Sequence, residues 1–213
     1  MHFLSEDLEN YISQHSETEP ELLRALARET HLKVIQPRMI TGHYQGRVLS
    51  MLSKLIRPQN ILEIGTYTGY SALCLAEGLH PEGQLHTIEI NEELEDMQRR
   101  YFEKSPYGSR IITHIGNALQ IVPQLDMEFD LVFIDAGKTD YDAHFENAIK
   151  KVRPGGVILS DNVLWSGKVV DTASPSDKAT IALQAYNKKL MEDPRVETVI
   201  LPVRDGLTLS RVL

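Results

Sequence analysis

Asp135 follows the mostly apolar run Phe129 to Ile134, Asp161-Asn162 stand one serine past the apolar run Val157 to Leu159, and Lys138 lies three residues past Asp135. The two carboxylates and the amide are hard oxygen donors, with no His or Cys among them. Such a set suits a hard divalent ion such as Mg²⁺, with water or substrate oxygens completing an octahedron, and does not suit zinc. Beside a cation, an ammonium loses its proton more easily, so Lys138 can serve as a general base. The plainer alternative is that Asp161 and Asn162 cap a loop, Asp135 caps a helix and Lys138 is a solvated charge. Two strands delivering oxygen donors to one place favour the metal.

A second stretch, Ile61 to Ser71, reads as a buried strand, Asn60 to Ile64, then a turn through Gly65 and Gly69, then a helix from about Tyr70. Strand, glycine turn and helix form a nucleotide-type cofactor site. The spacing is G-x-x-x-G, so a pyrophosphate is not the first ligand to expect. A bare turn with two glycines is a fair competitor. Glu63 weighs against it, because a carboxylate at a buried strand end needs a partner, and a cationic ligand would supply one. Glu89 stands 20 residues after Gly69, a distance at which a carboxylate accepts hydrogen bonds from ribose hydroxyls.

The elements that must position these residues follow from periodicity. Amphipathic helices are expected over Phe3 to Gln14, Pro20 to Thr30 and His43 to Leu55, covering one end of a sheet. Strands are expected at Asn60 to Ile64, Gln84 to Glu89, Arg110 to Ile115, Phe129 to Ile134 and Val157 to Leu159. Helices fall between them at Asn91 to Glu103, Ala118 to Gln124 and Tyr141 to Val152, and a long one follows at Ser176 to Glu192. Two last strands, about Val196 to Pro202 and Leu207 to Val212, flank the hairpin turn Arg204-Asp205-Gly206. The pattern predicts a Rossmann-like α/β fold: a seven-stranded, mostly parallel sheet with helices on both faces, a C-terminal antiparallel hairpin and N-terminal helices. Ligands bind such sheets beyond the carboxyl ends of the strands, where Glu63, Glu89, Gly116-Asn117-Ala118, Asp135 and Asp161-Asn162 all fall.

Composition narrows the function classes. The single cysteine, Cys74, lies on the apolar face of a helix, reads as a core residue and fits a cytoplasmic location. No run is apolar enough to span a membrane, and Met1 to Asn10 lack the form of a signal peptide. A net charge of −8 argues against a broad nucleic-acid surface. His86, His114 and His144 read as solvent or strand-end residues, and Trp165 as a candidate wall of a substrate pocket.

The segments Leu62 to Ser71, Phe133 to Lys138, Arg153 to Gly156, Ser160 to Trp165 and Leu201 to Leu207 together resemble the cation-dependent class I O-methyltransferases that use S-adenosylmethionine, over nearly the whole chain. The last hairpin and Asp161 to Trp165 look closest to the caffeoyl-coenzyme A branch and its bacterial relatives. The resemblance implies one S-adenosylmethionine-dependent methyltransferase domain, 1–213, with a helical cap over 1–58 and an α/β core over 59–213. It implies that Met39, Thr41, Glu63, Gly65, Thr66, Tyr67, Ser71, Glu89, Asn117, Ala118 and Asp135 line the cofactor. It further implies that Asp135, Asp161 and Asn162 hold the metal, that Lys138 and Asp135 are catalytic, and that the chain is a homodimer. The substrate so implied is a small catechol-like aromatic compound with vicinal oxygens. Because one similar bacterial branch methylates 5-hydroxyuridine, transfer RNA is the alternative, with Lys33, Arg38, Arg47, Lys138 and Lys168 as its basic contacts. A binding protein that kept the fold, and a nicotinamide dehydrogenase, fit the metal cluster and the glycine spacing less well.

Overall fold

The computed structural model describes residues 5–213. Phe3 and Leu4, expected on the first helix, lie outside the described residues. Eight α-helices are described: α1 (Glu6–Gln14), α2 (Glu21–Lys33), α3 (His43–Ile56), α4 (Tyr70–Ala76), α5 (Glu95–Glu103), α6 (Ala118–Ile121), α7 (Tyr141–Ile149) and α8 (Lys178–Glu192). The strands are β1 (Asn60–Ile64), β2 (Gln84–Glu89), β3 (Ile111–Ile115), β4 (Phe129–Ile134), β5 (Val152–Asp161), β6 (Val196–Leu201) and β7 (Leu207–Val212). Among the described residues they form one seven-stranded sheet in the order β3-β2-β1-β4-β5-β7-β6. The β1, β2, β3, β4 and β5 pairings are parallel, and β7 lies antiparallel between β5 and β6. No helix among the described residues is long and apolar enough to cross a membrane.

Strand side chains alternate between two cores, as the pleat requires. On one face Ile61, Leu131, Phe133 and Leu159 pack against α2, α3, α4 and α5. On the other, Leu62, Ile64, Val132, Ile134 and Ile158 pack against α6, α7 and α8. Helices α2 and α3, expected over one end of the sheet, instead complete its first face, because Leu23, Leu26 and Leu49 share a core with α4. Cys74 is buried in that core.

The fifth strand is longer than its apolar run. Helix α7 stops at Ile149 rather than Val152, and β5 begins at Val152, paired with Phe129. The segment Arg153-Pro154-Gly155-Gly156 sits inside β5 as an irregularity, between the Phe129 and Leu131 pairings. Proline and glycine there mark a bulge, not only a helix stop. The histidines also differ from the sequence expectation. His86 and His144 are buried, and His86 Nδ1 meets His114 Nε2 at 3.0 Å across adjacent strands. β2 is covered on both faces, so His86 takes a partner from His114 instead of water, while its Nε2 has none.

Two predictions follow from this packing. A Cβ at Gly65, where φ is +101°, would meet the Asp135 carbonyl oxygen at 1.9 Å, whereas one at Gly137 meets nothing nearer than 3.8 Å. Gly65→Ala is therefore expected to destabilise by about 2 kcal/mol or more, and Gly137→Ala by less than about 0.5 kcal/mol, in urea titrations. Burial, then His114, lowers the His86 pKa from its ordinary 6.5. A base with a depressed folded-state pKa is protonated more readily in the unfolded chain. Stability is thus full above about pH 6.5 and falls as pH drops below it, and His86→Leu should flatten that part of the curve.

Candidate active site

Register builds the site. Ile64 pairs with Ile88 and Ile134, and Ile134 pairs with Ser160. The next residues, Gly65, Glu89, Asp135 and Asp161, therefore leave the sheet at one level, on its carboxyl rim. Gly116, Asn117 and Ala118 follow β3 on the same side. A cleft of about 1170 Å³ opens there, larger than the roughly 300–1,000 Å³ that suits one small ligand.

Of the residues expected at a cofactor, Met39, Gly65, Tyr67, Glu89, Asn117, Ala118 and Asp135 line the cleft. Thr41, Thr66 and Ser71 line an adjoining recess. Glu63 lines neither. It is 0 % exposed, its Oε2 accepts from the Thr87 hydroxyl and its Oε1 has no partner. Burial is the main cause pushing its carboxyl up to about 8. Glu89 is held at the rim, where its carboxylate accepts from the Tyr67 and Asn91 N–H groups at 2.6 and 2.9 Å. Asn117 caps α6 by accepting from Leu119 N–H at 2.9 Å.

The second group converges tightly. Lys138, 9 % exposed, donates from Nζ to Asp135 Oδ1 at 3.1 Å and Asn162 Oδ1 at 2.9 Å. Its third bond is to the Tyr141 hydroxyl, which in turn donates to the Asp161 carbonyl at 2.8 Å. Asp161 is 1 % exposed, and burial, then the charge of Asp135, pushes its carboxyl well above the usual range. Among the described residues no three His, Cys, Asp or Glu side chains surround one point. The donor set here is two carboxylates and an amide, and a cationic nitrogen already shares two of its oxygens. That geometry fits a hard cation. Trp165, half-buried, lines the cleft beside Asn162 and packs against the α7–α8 core.

Tyr141 and Arg204 escaped the sequence reading. Tyr141 was legible only as the start of a helix, although its K-x-x-Y spacing from Lys138 places it one turn away. Arg204 was legible only as part of a turn. Four of the five basic candidates for RNA contact are taken by carboxylates: Lys33 by Glu29, Arg47 by Glu77, Lys138 by Asp135 and Lys168 by Asp177.

A Rossmann-like sheet whose rim joins the Glu89 carboxylate to an oxygen-donor cluster is a framework that suits a group-transfer enzyme. A family model described as O-methyltransferase matches residues 13–213, and the chain belongs to that family. It is 37% identical over 223 residues to the caffeoyl-CoA O-methyltransferase of Petroselinum crispum, spanning 97% of this chain and 91% of that one. The O-methyltransferase TomG of Streptomyces achromogenes, solved with SAM, superposes with a TM-score of 0.89 at 32% identity, over 97% of this chain and 96% of that one. The O-methyltransferase of Bacillus cereus, solved with SAH, gives 0.89 at 30% identity, over 97% of each chain.

Tyr141→Phe removes one partner of a buried ammonium. It is expected to cost about 1–3 kcal/mol of stability, read by chemical denaturation, and to lower turnover without abolishing it.

Proposed function

We propose that this enzyme methylates one hydroxyl of a small catechol-like substrate, using S-adenosylmethionine and a divalent ion, Mg²⁺, bound by Asp135, Asp161 and Asn162. The observation that carries this reading is the convergence of Asp135 Oδ1 and Asn162 Oδ1 on one cationic nitrogen beside the buried Asp161. The relatives named above support the cofactor, and the size of the cleft suits two ligands.

When bound, the ion supplies positive charge that lowers the pKa of a hydroxyl on a substrate with adjacent oxygens. When bound, S-adenosylmethionine supplies a sulfonium methyl group to the substrate oxygen and remains as S-adenosylhomocysteine. To Glu89 we assign the ribose hydroxyls, since its oxygens keep acceptor capacity beyond their two backbone bonds. Met39, Thr41, Gly65, Thr66, Tyr67 and Ser71 enclose the methionine side of the donor, and Glu63, buried behind them, accepts from Thr87, whose hydroxyl also meets that of Thr66. Asn117 and Ala118 border the adenine. Beside the bound ion Lys138 Nζ would give up a proton and, as the neutral amine held in place by Tyr141, would receive that of the hydroxyl. Trp165 walls the acceptor. Orientation of donor and acceptor in one cleft supplies much of the rate. We extend the proposal to a homodimer, supported by the exposed apolar side chains Leu32, Ile35, Met51 and Leu55 around α2 and α3.

The test is a methyl-transfer assay with labelled S-adenosylmethionine on caffeate and, in parallel, on transfer RNA carrying 5-hydroxyuridine. Label on the catechol, lost in chelator and restored by Mg²⁺, is expected. Asp161→Ala should lower it at least 100-fold, about 2.7 kcal/mol, and Lys138→Ala should lose most turnover while still binding S-adenosylhomocysteine. Label on the RNA alone would move the acceptor to RNA, and undiminished activity in chelator would sink the metal.

A further inference from the structure

The turn between β6 and β7 reaches well beyond its own strands. Arg204 there holds a φ of +51°, a region that L side chains enter at a cost. Its guanidinium donates to the main-chain carbonyls of Arg38, Ile40 and Thr41, at 3.0, 2.7 and 2.7 Å. These carbonyls belong to segment 36–41, whose Met39 and Thr41 side chains face the cofactor end of the rim. The β1–α4 turn pins the same segment once more, where the Tyr67 hydroxyl donates to the Gln36 carbonyl at 2.9 Å. On the opposite side of the hairpin, Asp205 accepts from the Leu164 N–H with its carbonyl and from the Ser166 N–H with Oδ1. Adjacent residues of one turn thus hold both walls of the cleft.

Apolar packing fixes segment 36–41 at one point, Ile40, which is buried in the first core. None of Pro37 to Met39 is buried, Met39 is 56 % exposed and the neighbouring Ile35 is 91 % exposed. Only Ile40 and Thr41 turn inward. Polar bonds to the main chain therefore hold the exposed part of the segment ahead of Ile40, and one side chain makes three of the four just described. A guanidinium can do this because its five N–H groups lie in a rigid fork. An ammonium on a flexible stem cannot span three carbonyls with the same order.

We propose that Arg204 is a positioning residue for the methyl donor: it latches segment 36–41 across the cofactor end of the cleft before the donor arrives. The inference rests on reading the cleft as an S-adenosylmethionine site. A segment ordered in advance costs less to immobilise on binding. Loss of the latch should therefore appear as weaker cofactor affinity. The acceptor wall, held separately by Asp205, should be unaffected.

The experiment compares wild type, Arg204→Met and Arg204→Lys by calorimetric titration with S-adenosylhomocysteine, together with hydrogen exchange of amides 36–42 and the KM of each substrate. Wild type is expected to bind and to gain protection in 36–42. Arg204→Met should bind about tenfold more weakly, exchange faster in that segment alone, and keep its acceptor KM within twofold. Arg204→Lys should recover little of the loss, and it carries the test if the methionine variant does not fold. Affinity within twofold of wild type in the variants, or recovery by lysine, overturns the latch. Weakened affinity with faster exchange throughout the chain also overturns it, because the arginine would then be merely structural. If wild type itself does not bind S-adenosylhomocysteine, the reading of the cleft fails and the latch falls with it.

Discussion

A parallel sheet releases all its strands on one side, and here β1, β2, β4 and β5 end level because their register is level. Everything chemical in the molecule depends on that constraint. Gly65, Glu89, Asp135 and Asp161 are far apart in sequence, yet each is the first residue past a line of paired isoleucines and serine, or the last upon it. The two cores hold the line in place. Large side chains such as Phe133, Phe145, Tyr141 and Tyr186 are fully buried beside it, so a strand cannot slip without exposing one core to water.

The rim also carries backbone cost. Among the described residues, Arg57, Tyr67, Asn162, Trp165, Ser166 and Arg204 have positive φ without being glycine. All except Arg57, which ends α3, border the cleft. Each such residue costs about 1–3 kcal/mol and persists only where its surroundings over-determine it. Here those surroundings are specific: Glu89 grips the Tyr67 N–H, Lys138 grips the Asn162 side chain, and Asp205 grips the Ser166 N–H. The rim is thus set by polar contacts from neighbouring strand ends, and the core sets only its level.

Residues at strand ends were legible in the sequence, and the reasons are physical. Short apolar stretches fix strand centres, so the first charged residue past one falls at the rim. Asp135, after Leu131 to Ile134, and Asp161, one serine past Val157 to Leu159, could be placed that way, and Glu89 by its distance from Gly69. Glu63 could be placed in the strand but not on a surface, because its pleat position points it under α4 and not into the cleft. His86 was misread for the opposite reason: polarity suggested water, but β2 is covered on both faces and His114 supplies its partner. The start of β5 was hidden because proline and glycine signal a helix stop and a bulge in the same letters. Tyr141 and Arg204 act through long-range bonds, to Asp161 and to Arg38, Ile40 and Thr41, and no local pattern announces a partner 20 or 160-odd positions away.

The strand order has a consequence for how the molecule is made. β7 follows the other six described strands in sequence, yet it lies inside the sheet, between β5 and β6. Until it emerges, β6 has no route to the sheet and the far side of β5 stays an open edge that can pair with another chain. The same strand follows directly on Arg204, so the cleft acquires this fastening only as β7 joins the sheet. A nascent chain stalled before Leu207 would carry Asp135, Asp161, Asn162 and the glycine turn but would present an unsealed sheet. Such a species is a natural target for chaperones, and overproduction of the protein would be most prone to aggregate at that stage.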